Sequence, residues 1–357
     1  MTRPSVFALA FAIGVSALPA DDKQPPAGFK PMFNGKDLSG WVNVNCAPGT
    51  FFVKDGEVIT TGNPTGFLRT DRQYENFELD VDWMHVEKVK TANSGIFVWG
   101  DPLPGVGTPY TRGIEVQVLI NYPKVDWATN HGDLFSIHGA HCVPDRPHPK
   151  GYERCLPSEE RVKGGGEWNH YKVVANDGTI KLHVNGKEVS GVSKCTPRKG
   201  YLALESEGAE CHFKNLVIKE LPSTNPKPEE TAKMAEGHVS LFNGVDLTGW
   251  KSEKDAWKVG GGVLRAAGKS SLVTEKAFGK SELVFDWKVP AKTEKAAVEV
   301  KSSGVSIATT LPAGAKPGTW NRAAITIQGD SPSPIAFVPS EGLEIMNVFV
   351  RELKENK

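Results

Sequence analysis

Residues 33–41 of the chain read FNGKDLSGW, and residues 242–250 read FNGVDLTGW. Three further segments return in the second half of the chain in the same order: residues 78–83 at 282–287, 166–169 at 318–321, and 215–221 at 347–353. Self-similarity at several ordered places is the signature of a duplicated structural unit. The sequence therefore predicts two copies of one fold.

Short strands separated by turns are predicted in both copies. Residues 51–53 and 58–60 flank the turn pair Asp55-Gly56, a pattern typical of a β-hairpin. Within residues 77–83 every second residue is large and apolar, as in a strand with one buried face. The chain also has 37 glycines and 25 prolines and no segment of helical periodicity. We therefore predict an all-β protein in which each copy is a two-sheet sandwich.

The two copies are predicted to be joined by a linker, because residues 222–231 are rich in proline and polar residues. This composition places the first domain at residues 28–221, the linker at 222–236 and a truncated second domain at 237–353.

The N-terminus is predicted to be a signal peptide covering residues 1–20. Arg3 precedes an apolar stretch at residues 6–18, which is followed by small residues. The stretch is shorter than a membrane span requires, although an uncleaved N-terminal anchor is the alternative. No later segment is long enough to cross a bilayer. We expect an exported protein, periplasmic or extracellular.

The overall charge is balanced, with 42 Lys and Arg against 42 Asp and Glu. This balance argues against a nucleic acid or an anionic membrane surface as a partner.

The five cysteines agree with export without establishing it. Cys142 with Cys155 is the most natural disulfide, and Cys195 with Cys211 is the next. Cys46 would then be the unpaired cysteine. A set of buried thiols is the alternative, because free cysteine is a common core residue.

Several segments together resemble one known family. They are FNGKDLSGW at 33–41, NSGIFVWG at 93–100, GIEVQV at 113–118, and GEWN at 166–169 followed by VNG at 184–186. This combination is similar to the 3-keto-disaccharide hydrolase domain family. The resemblance implies two concanavalin A-like (LamG-like) jelly-roll sandwiches in tandem, with the second one shortened.

The second copy departs from the family between its conserved ends. Trp83 and Trp168 are 85 residues apart, whereas Trp287 and Trp320 are 33 apart. The NSGI and IEVQ segments therefore have no counterpart in the sequence of the second copy. If those segments build the site, the second copy is a packing or attachment domain, with a weak sugar-binding domain as the alternative.

The resemblance also implies a chemistry. Its substrates are sugars or disaccharides already oxidised at C3, which requires a separate upstream sugar 3-dehydrogenase. The ketone makes the C2 proton acidic, so the C1 substituent can leave by elimination and water can then add. Such a reaction needs a base, an acid, and a cation or hydrogen-bond donor at the enolate oxygen. A divalent metal can fill the last role.

Glu115 is the first candidate for catalysis. Glu115 and Gln117 lie two apart on a predicted strand and so face the same side of a sheet. The alternative is that Glu115 is an ordinary solvent-facing strand residue. His138 is the second catalytic candidate, and a cluster around it offers possible metal ligands: His131, Asp133, His138 and His141.

Further polar and aromatic residues are candidates for holding the sugar. They are Asn93, Gln117, Trp99, Tyr110, Trp127 and Glu205. A non-catalytic, lectin-like module is the leading alternative function. A retaining glycosidase of the laminarinase type is the third, because residues 78–82 (ELDVD) faintly match its paired carboxylates. A structural or cell-surface attachment protein is a further alternative.

Overall fold

A computed structural model describes residues 25–121, 131–329 and 331–353. Within them the protein is all-β, as predicted, apart from a single 3₁₀ turn at Pro228–Glu230. The strands of the first domain are β1 (Lys30–Pro31), β2 (Trp41–Val44), β3 (Phe51–Lys54), β4 (Glu57–Thr60), β5 (Gly66–Thr70), β6 (Phe77–His85), β7 (Ala92–Gly100), β8 (Gly113–Ile120), β9 (Leu134–Ile137), β10 (His141–Pro144), β11 (Arg154–Cys155), β12 (Asn169–Asn176), β13 (Thr179–Val184), β14 (Lys187–Thr196), β15 (Tyr201–Ser206) and β16 (Cys211–Glu220).

The first domain is a sandwich of two antiparallel sheets. Its back sheet has the order β10-β14-β13-β12-β6-β16-β4-β3, with β1 added beside β16, and its front sheet has the order β11-β9-β8-β7-β15-β5-β2. Burial alternates along all nine residues of β6, with Phe77, Leu79, Val81 and Trp83 pointing into the core between the sheets. The predicted hairpin of β3 and β4 is confirmed.

The second domain repeats this arrangement. Its strands are β17 (Val239–Ser240), β18 (Trp250–Lys251), β19 (Trp257–Gly260), β20 (Val263–Ala266), β21 (Leu272–Phe278), β22 (Ser281–Lys288), β23 (Ala297–Ser302), β24 (Val305–Thr310), β25 (Asn321–Ile327), β26 (Ser333–Val338) and β27 (Glu344–Glu352). One sheet, β19-β20-β27-β22-β25, follows the order of β3-β4-β16-β6-β12, and the other, β18-β21-β26-β23-β24, follows β2-β5-β15-β7-β8.

The duplication extends to single side chains. The indole N–H of Trp41 donates to Met32 O and that of Trp250 to Leu241 O, both at 2.9 Å. The predicted repeat is therefore confirmed in three dimensions.

The strand register also corrects one expectation about the second copy. β23 and β24 occupy the places of β7 and β8, so the strands do have counterparts although their sequences do not match. The register puts Ser306 where the first copy has Glu115, and Val338 where it has Glu205. The second copy has kept the scaffold and lost these carboxylates.

The second domain packs on the outer face of the front sheet. Phe67 and Phe97 of the first domain form an apolar cluster with Val284 and Phe349 of the second. Both faces of β8 are buried along its whole length. Glu115 is therefore not a solvent-facing residue, and it is only 6% exposed.

Three polar side chains of the second domain hold a loop of the first, at residues 104–108. We call Asp286, Arg322 and Asn347 the clamp. Asp286 is fully buried, and it pairs with Arg322 at 2.7 Å and accepts from Asn347 Nδ2 at 2.6 Å. Three hydrogen bonds of 2.9 Å join the clamp to the loop. Gly107 N donates to Asp286 Oδ2. Arg322 Nη2 donates to Pro104 O, and Asn347 Nδ2 donates to Thr108 O.

The first copy carries an equivalent trio on its solvent-facing back sheet, with His170 in the place of Arg322. There Asp82 accepts from Asn215 Nδ2 at 2.7 Å and lies 2.8 Å from His170 Nδ1. The equivalent of the clamp is present in the first copy but contacts no loop of the other domain among the described residues.

The predicted signal peptide lies outside the described residues. Across the part of the chain that the structure describes, no helix has the length and apolar character needed to cross a membrane. All five cysteines are buried free thiols, so the Cys142–Cys155 and Cys195–Cys211 disulfides are not formed.

Asn347 and Asn215 offer a matched test of the clamp. Both have a φ of 52°, so replacement by alanine strains the backbone equally at the two sites. Asn347→Ala also leaves buried groups without a donor, whereas Asn215 is exposed. We expect Asn347→Ala to lower the free energy of unfolding by about 2 kcal/mol more than Asn215→Ala does, measured by urea denaturation. Equal losses would contradict the role given to the clamp.

Candidate functional site

Two buried glutamates converge on the front face, the side of the front sheet that faces the second domain. Glu115 comes from β8 and Glu205 from β15, and the strand between them, β7, presents Gly95. A Cβ atom at Gly95 would lie 2.8 Å from Glu205 Oε2 and 3.0 Å from Glu115 Oε1. The glycine of the NSG segment therefore leaves the space that the two carboxyl groups occupy.

A third carboxyl group, that of Glu207, completes what we call the Glu cluster: Glu115, Glu205 and Glu207. Tyr110 OH donates to Glu207 Oε1 at 2.6 Å, and Asn93 Nδ2 donates to Glu207 Oε2. Gln117 Nε2 in turn donates to Asn93 Oδ1 at 2.7 Å. Five of the residues predicted to handle the sugar or the chemistry thus lie together with Glu207: Asn93, Tyr110, Glu115, Gln117 and Glu205.

The three carboxyl groups differ in how easily they ionise. Burial raises the pKa of Glu115 to about 8, the charge of Glu207 adds to the rise, and Arg154 opposes it. Burial raises the pKa of Glu205 well above its usual range, and repulsion from Glu115 and Glu207 adds to the shift. No N–H or hydroxyl donor among the described residues bonds to either oxygen of Glu205. The hydrogen-bond partner of the Glu205 carboxyl group is the neighbouring carboxyl group of Glu207.

Glu207 is the member best suited to carry a negative charge. Burial raises its pKa as well, but the hydrogen bonds from Tyr110 and Glu205 act in the opposite direction. Hydrogen bonds to a carboxylate stabilise the ionised form. The cluster therefore combines one carboxyl group whose ionised form is stabilised by hydrogen-bond donors, Glu207, with one whose neutral form is favoured by burial, Glu205.

His138 and Arg154 border the cluster. The His138 ring stacks on Tyr110 with centroids 5.4 Å apart, and its Nε2 lies 3.3 Å from Thr108 Oγ1. Burial lowers the pKa of His138, which favours the neutral imidazole. The Arg154 guanidinium lies 3.5 Å above the centre of the Phe135 ring and 3.6 Å from the Asp133 carboxylate.

A cleft of about 400 Å³ opens beside this border. It is lined by Phe135, His138 and Arg154 together with the turn between β9 and β10. Phe135 is the register partner of Glu115 on the neighbouring strand. The cleft therefore lies next to the Glu cluster, on the β9 side of the front sheet.

The structure places two of the predicted site residues away from the cluster. Trp99 lies in the core between the sheets, and its indole N–H donates to Glu75 O at 2.7 Å. His141 is exposed and pairs with Glu153 at 3.3 Å. Trp127 lies outside the described residues.

The four predicted metal ligands do not form a joint site. His138 stacks on Tyr110, Asp133 faces Arg154 and His141 pairs with Glu153, while His131 is half-buried. Among the described residues, a grouping of ligand atoms close enough to hold a metal occurs elsewhere, at Glu236, His238 and Glu282. Arg351 already pairs with both of those glutamates, so this grouping does not fit a metal well.

Sequence reasoning missed Glu207 and Arg154. Glu207 follows Glu205 by two positions, and this alternation was the available signal for a second carboxylate on the same face. Arg154 belongs to a two-residue strand after an irregular segment, and no pattern in the sequence indicates that it lies near Glu115.

The glycosidase-like pattern at residues 78–82 lies on the wrong sheet to join the cluster. Glu78, Asp80 and Asp82 are on β6 of the back sheet and face outward. Lys172 Nζ lies 2.6 Å from Glu78, and His170 lies 2.8 Å from Asp82. These carboxylates form surface ion pairs on the opposite side of the domain.

Several solved structures are similar to this chain. Two are proteins of Parabacteroides distasonis ATCC 8503 described as candidate glycosyl hydrolases. One is 25% identical, with 55% of this chain and 94% of that chain covered and a TM-score of 0.42. The other is 22% identical, with 54% and 99% covered and a TM-score of 0.40. A carbohydrate-binding module of Bacillus subtilis is 12% identical, with 51% and 96% covered and a TM-score of 0.32.

A search of the curated proteins finds no match. The family model described as the 3-keto-alpha-glucoside-1,2-lyase-like domain matches residues 28–219 and 237–328, which together are most of the chain. The two matched ranges correspond to the two sandwiches of the structure. The protein therefore belongs to the 3-keto-alpha-glucoside-1,2-lyase-like domain family, is carbohydrate-active, and carries two copies of the family's domain.

Proposed function

We propose that the first domain cleaves 3-keto-glycosides, by removing the C2 proton and releasing the C1 substituent. The observation that carries the proposal is the Glu cluster, in which buried carboxyl groups with raised pKa values converge over Gly95. Burial and like charges that separate the ionisation of neighbouring carboxyl groups are how proteins assign acid and base roles near neutral pH.

Glu115 is the base in this proposal. With a pKa of about 8, its ionised form is a stronger base than an ordinary glutamate and is still accessible at neutral to mildly alkaline pH. It takes the proton from C2, and the electron pair of that bond becomes an enolate delocalised onto the C3 oxygen. Arg154, which acts electrostatically on Glu115, is the nearest candidate to stabilise the enolate.

Glu205 is the acid. Because burial raises its pKa and so favours the protonated form, it can donate a proton to the C1 oxygen as the C1–O bond breaks. The products of this step are the free alcohol and a 3-keto sugar with a C1–C2 double bond. Addition of water across that bond then yields the free 3-keto sugar.

Asn93 and Gln117 are proposed to hold sugar hydroxyl groups, since their amides line the same face as the cluster. His138 is proposed to assist proton transfer from the border of the cluster as a neutral imidazole. The proposal requires a separate sugar 3-dehydrogenase to supply the ketone. We further propose that the protein acts after export, in the periplasm or outside the cell.

The first test compares wild-type protein with Glu115→Gln on a 3-keto-glucoside and on the unoxidised parent glucoside, with and without a chelator. We expect the wild type to release the aglycone from the keto sugar alone. We expect Glu115→Gln to lower kcat at least about 100-fold, because it removes the base. Release is followed by chromatography of the aglycone.

Glu78→Gln is the matched control, because it changes the same residue type in a surface ion pair of the back sheet. Surface ion pairs contribute little to stability, so this variant is expected to keep full activity. If neither sugar is cleaved while both are bound, the domain is a lectin-like module and the proposed catalysis is wrong. Loss of activity with chelator would show that a metal takes part.

A second test addresses the charge state of Glu115 without measuring activity. Its pKa of about 8 in the folded protein, against an ordinary value of 4.5, means that the folded chain binds an extra proton between these pH values. Wild-type stability therefore falls as the pH rises from about 5 to about 8. Glu115→Gln removes this effect, worth about 1.4 kcal/mol per unit of pKa shift.

We therefore expect Glu115→Gln to gain stability relative to wild type as the pH rises through this range, measured by urea denaturation at each pH. Glu78→Gln should show no such gain, because neighbouring Lys172 holds the pKa of Glu78 below its usual value. If the stability difference between Glu115→Gln and wild type does not change with pH, the pKa of Glu115 is not raised.

A further inference from the structure

A cavity of about 610 Å³ lies between the two domains. The front sheet and the loop before β8 form one wall, the linker forms the second, and strands β22 and β25 of the second domain form the third. Its volume falls within the range of cavities that take small-molecule ligands, which are often found at domain interfaces.

The cavity is distinct from the Glu cluster, although His138, which borders the cluster, also lines the cavity. Three strand spacings separate Arg69, on the cavity wall, from Glu115. The residues in register between them are Ala203 and Phe97. Neighbouring strands are about 4.8 Å apart, so Arg69 and Glu115 are roughly 14 Å apart across the sheet. Phe97 between them is fully buried by the apolar contact with the second domain.

Every acidic side chain on the cavity wall already has a cationic partner. Asp101 forms a two-point ion pair with Arg112, at 2.8 and 3.0 Å. Glu236 and Glu282 both pair with Arg351, at 2.8 and 2.6 Å. The acidic groups of the wall are therefore neutralised within the protein.

Two cationic side chains of the wall, Arg69 and Lys233, form no ion pair with a described residue. Arg69 is only 5% exposed, yet no carboxylate of the described residues lies within ion-pair distance of it, and the same holds for the more exposed Lys233. Arg69 donates to two backbone carbonyls, Pro102 O at 3.1 Å and Thr70 O at 2.8 Å, which use two of its five N–H donors. Its guanidinium lies over the Tyr201 ring, 4.7 Å from the centre.

The Asp71 carboxylate acts on Arg69 from beyond ion-pair distance. A buried cation without a contacting counter-ion is unfavourable unless something neutralises it. Guanidinium groups bind carboxylates in two-point geometry, and Arg69 retains donors for that purpose. The rest of the wall is partly apolar, with Leu103, Val284 and Ala324 facing the space. This combination suits a ligand with one anionic group and a compact body.

We propose that this cavity binds a small organic carboxylate of about monosaccharide size, with its carboxylate on Arg69 and Lys233. The ligand touches both domains and the linker, so it binds only when the two sandwiches are docked. The site goes beyond the proposed lyase activity and does not depend on it.

The probe is D-glucuronate, with D-glucose as the neutral sugar of the same size and inorganic phosphate as an anion without the ring. Each is titrated into the full-length protein by calorimetry at low ionic strength. We expect saturable binding of glucuronate, and no comparable binding of glucose or phosphate. Arg69→Met should weaken glucuronate at least about tenfold, the effect of losing charged hydrogen bonds.

Arg72→Met is the matched control, because Arg72 also lies over a tyrosine ring but is exposed and pairs with Glu220. It should leave glucuronate binding unchanged. If Arg69→Met does not fold, Ala324→Trp provides a second variant, since it fills the cavity from the second domain and keeps Arg69 in the chain. It should also abolish binding.

Four results would overturn the proposal: no saturable binding of glucuronate, equal binding of glucose, binding of phosphate in place of glucuronate, or glucuronate affinity that is unaffected by the cavity variants. Glu115→Gln tests whether glucuronate binds at the Glu cluster and not in the cavity. Binding lost in that variant and kept in Ala324→Trp would place glucuronate at the Glu cluster instead.

Discussion

The packing of the second domain against the front sheet is the contact on which the site depends. Phe67 and Phe97 of the first domain meet Val284 and Phe349 of the second, and the clamp holds the loop at residues 104–108 in place beside them. Tyr110, two residues beyond that loop, reaches Glu207. Phe67 and Phe97 are the register partners of Glu205 and Glu115 on the same face. Burial is the largest cause of the raised pKa values of Glu115, Glu205 and Glu207.

The Glu cluster illustrates how a protein assigns different roles to chemically identical groups. Three neighbouring carboxyl groups in a buried site cannot all ionise, because like charges repel strongly where solvent screening is weak. Glu207 receives hydrogen bonds from Tyr110 and Asn93, while Glu205 receives none from an N–H or hydroxyl donor of the described residues. The difference in hydrogen bonding, rather than in residue type, decides which group holds the charge and which holds the proton.

The two copies show how one scaffold has been put to two uses. Both carry an aspartate, an asparagine and a cationic side chain at equivalent positions, with nearly the same hydrogen bonds. In the first copy this trio faces solvent, and in the second copy it holds a loop of the partner domain. The second copy has Ser306 and Val338 in place of the catalytic candidates Glu115 and Glu205, so the duplicated fold survives without the duplicated chemistry.

The sequence by itself determined the duplication, the all-β class and the shared face of Glu115 and Gln117, because these depend on local repeats and on the two-residue period of a strand. It also pointed to Asn93, Tyr110 and Glu205 without showing that they meet. Only the tertiary structure decided that Trp99 is a core residue, that Arg154 approaches Glu115 and that Glu207 completes the cluster. It alone decided that the second domain covers the front face, because packing between elements distant in the chain leaves no periodic trace in either of them.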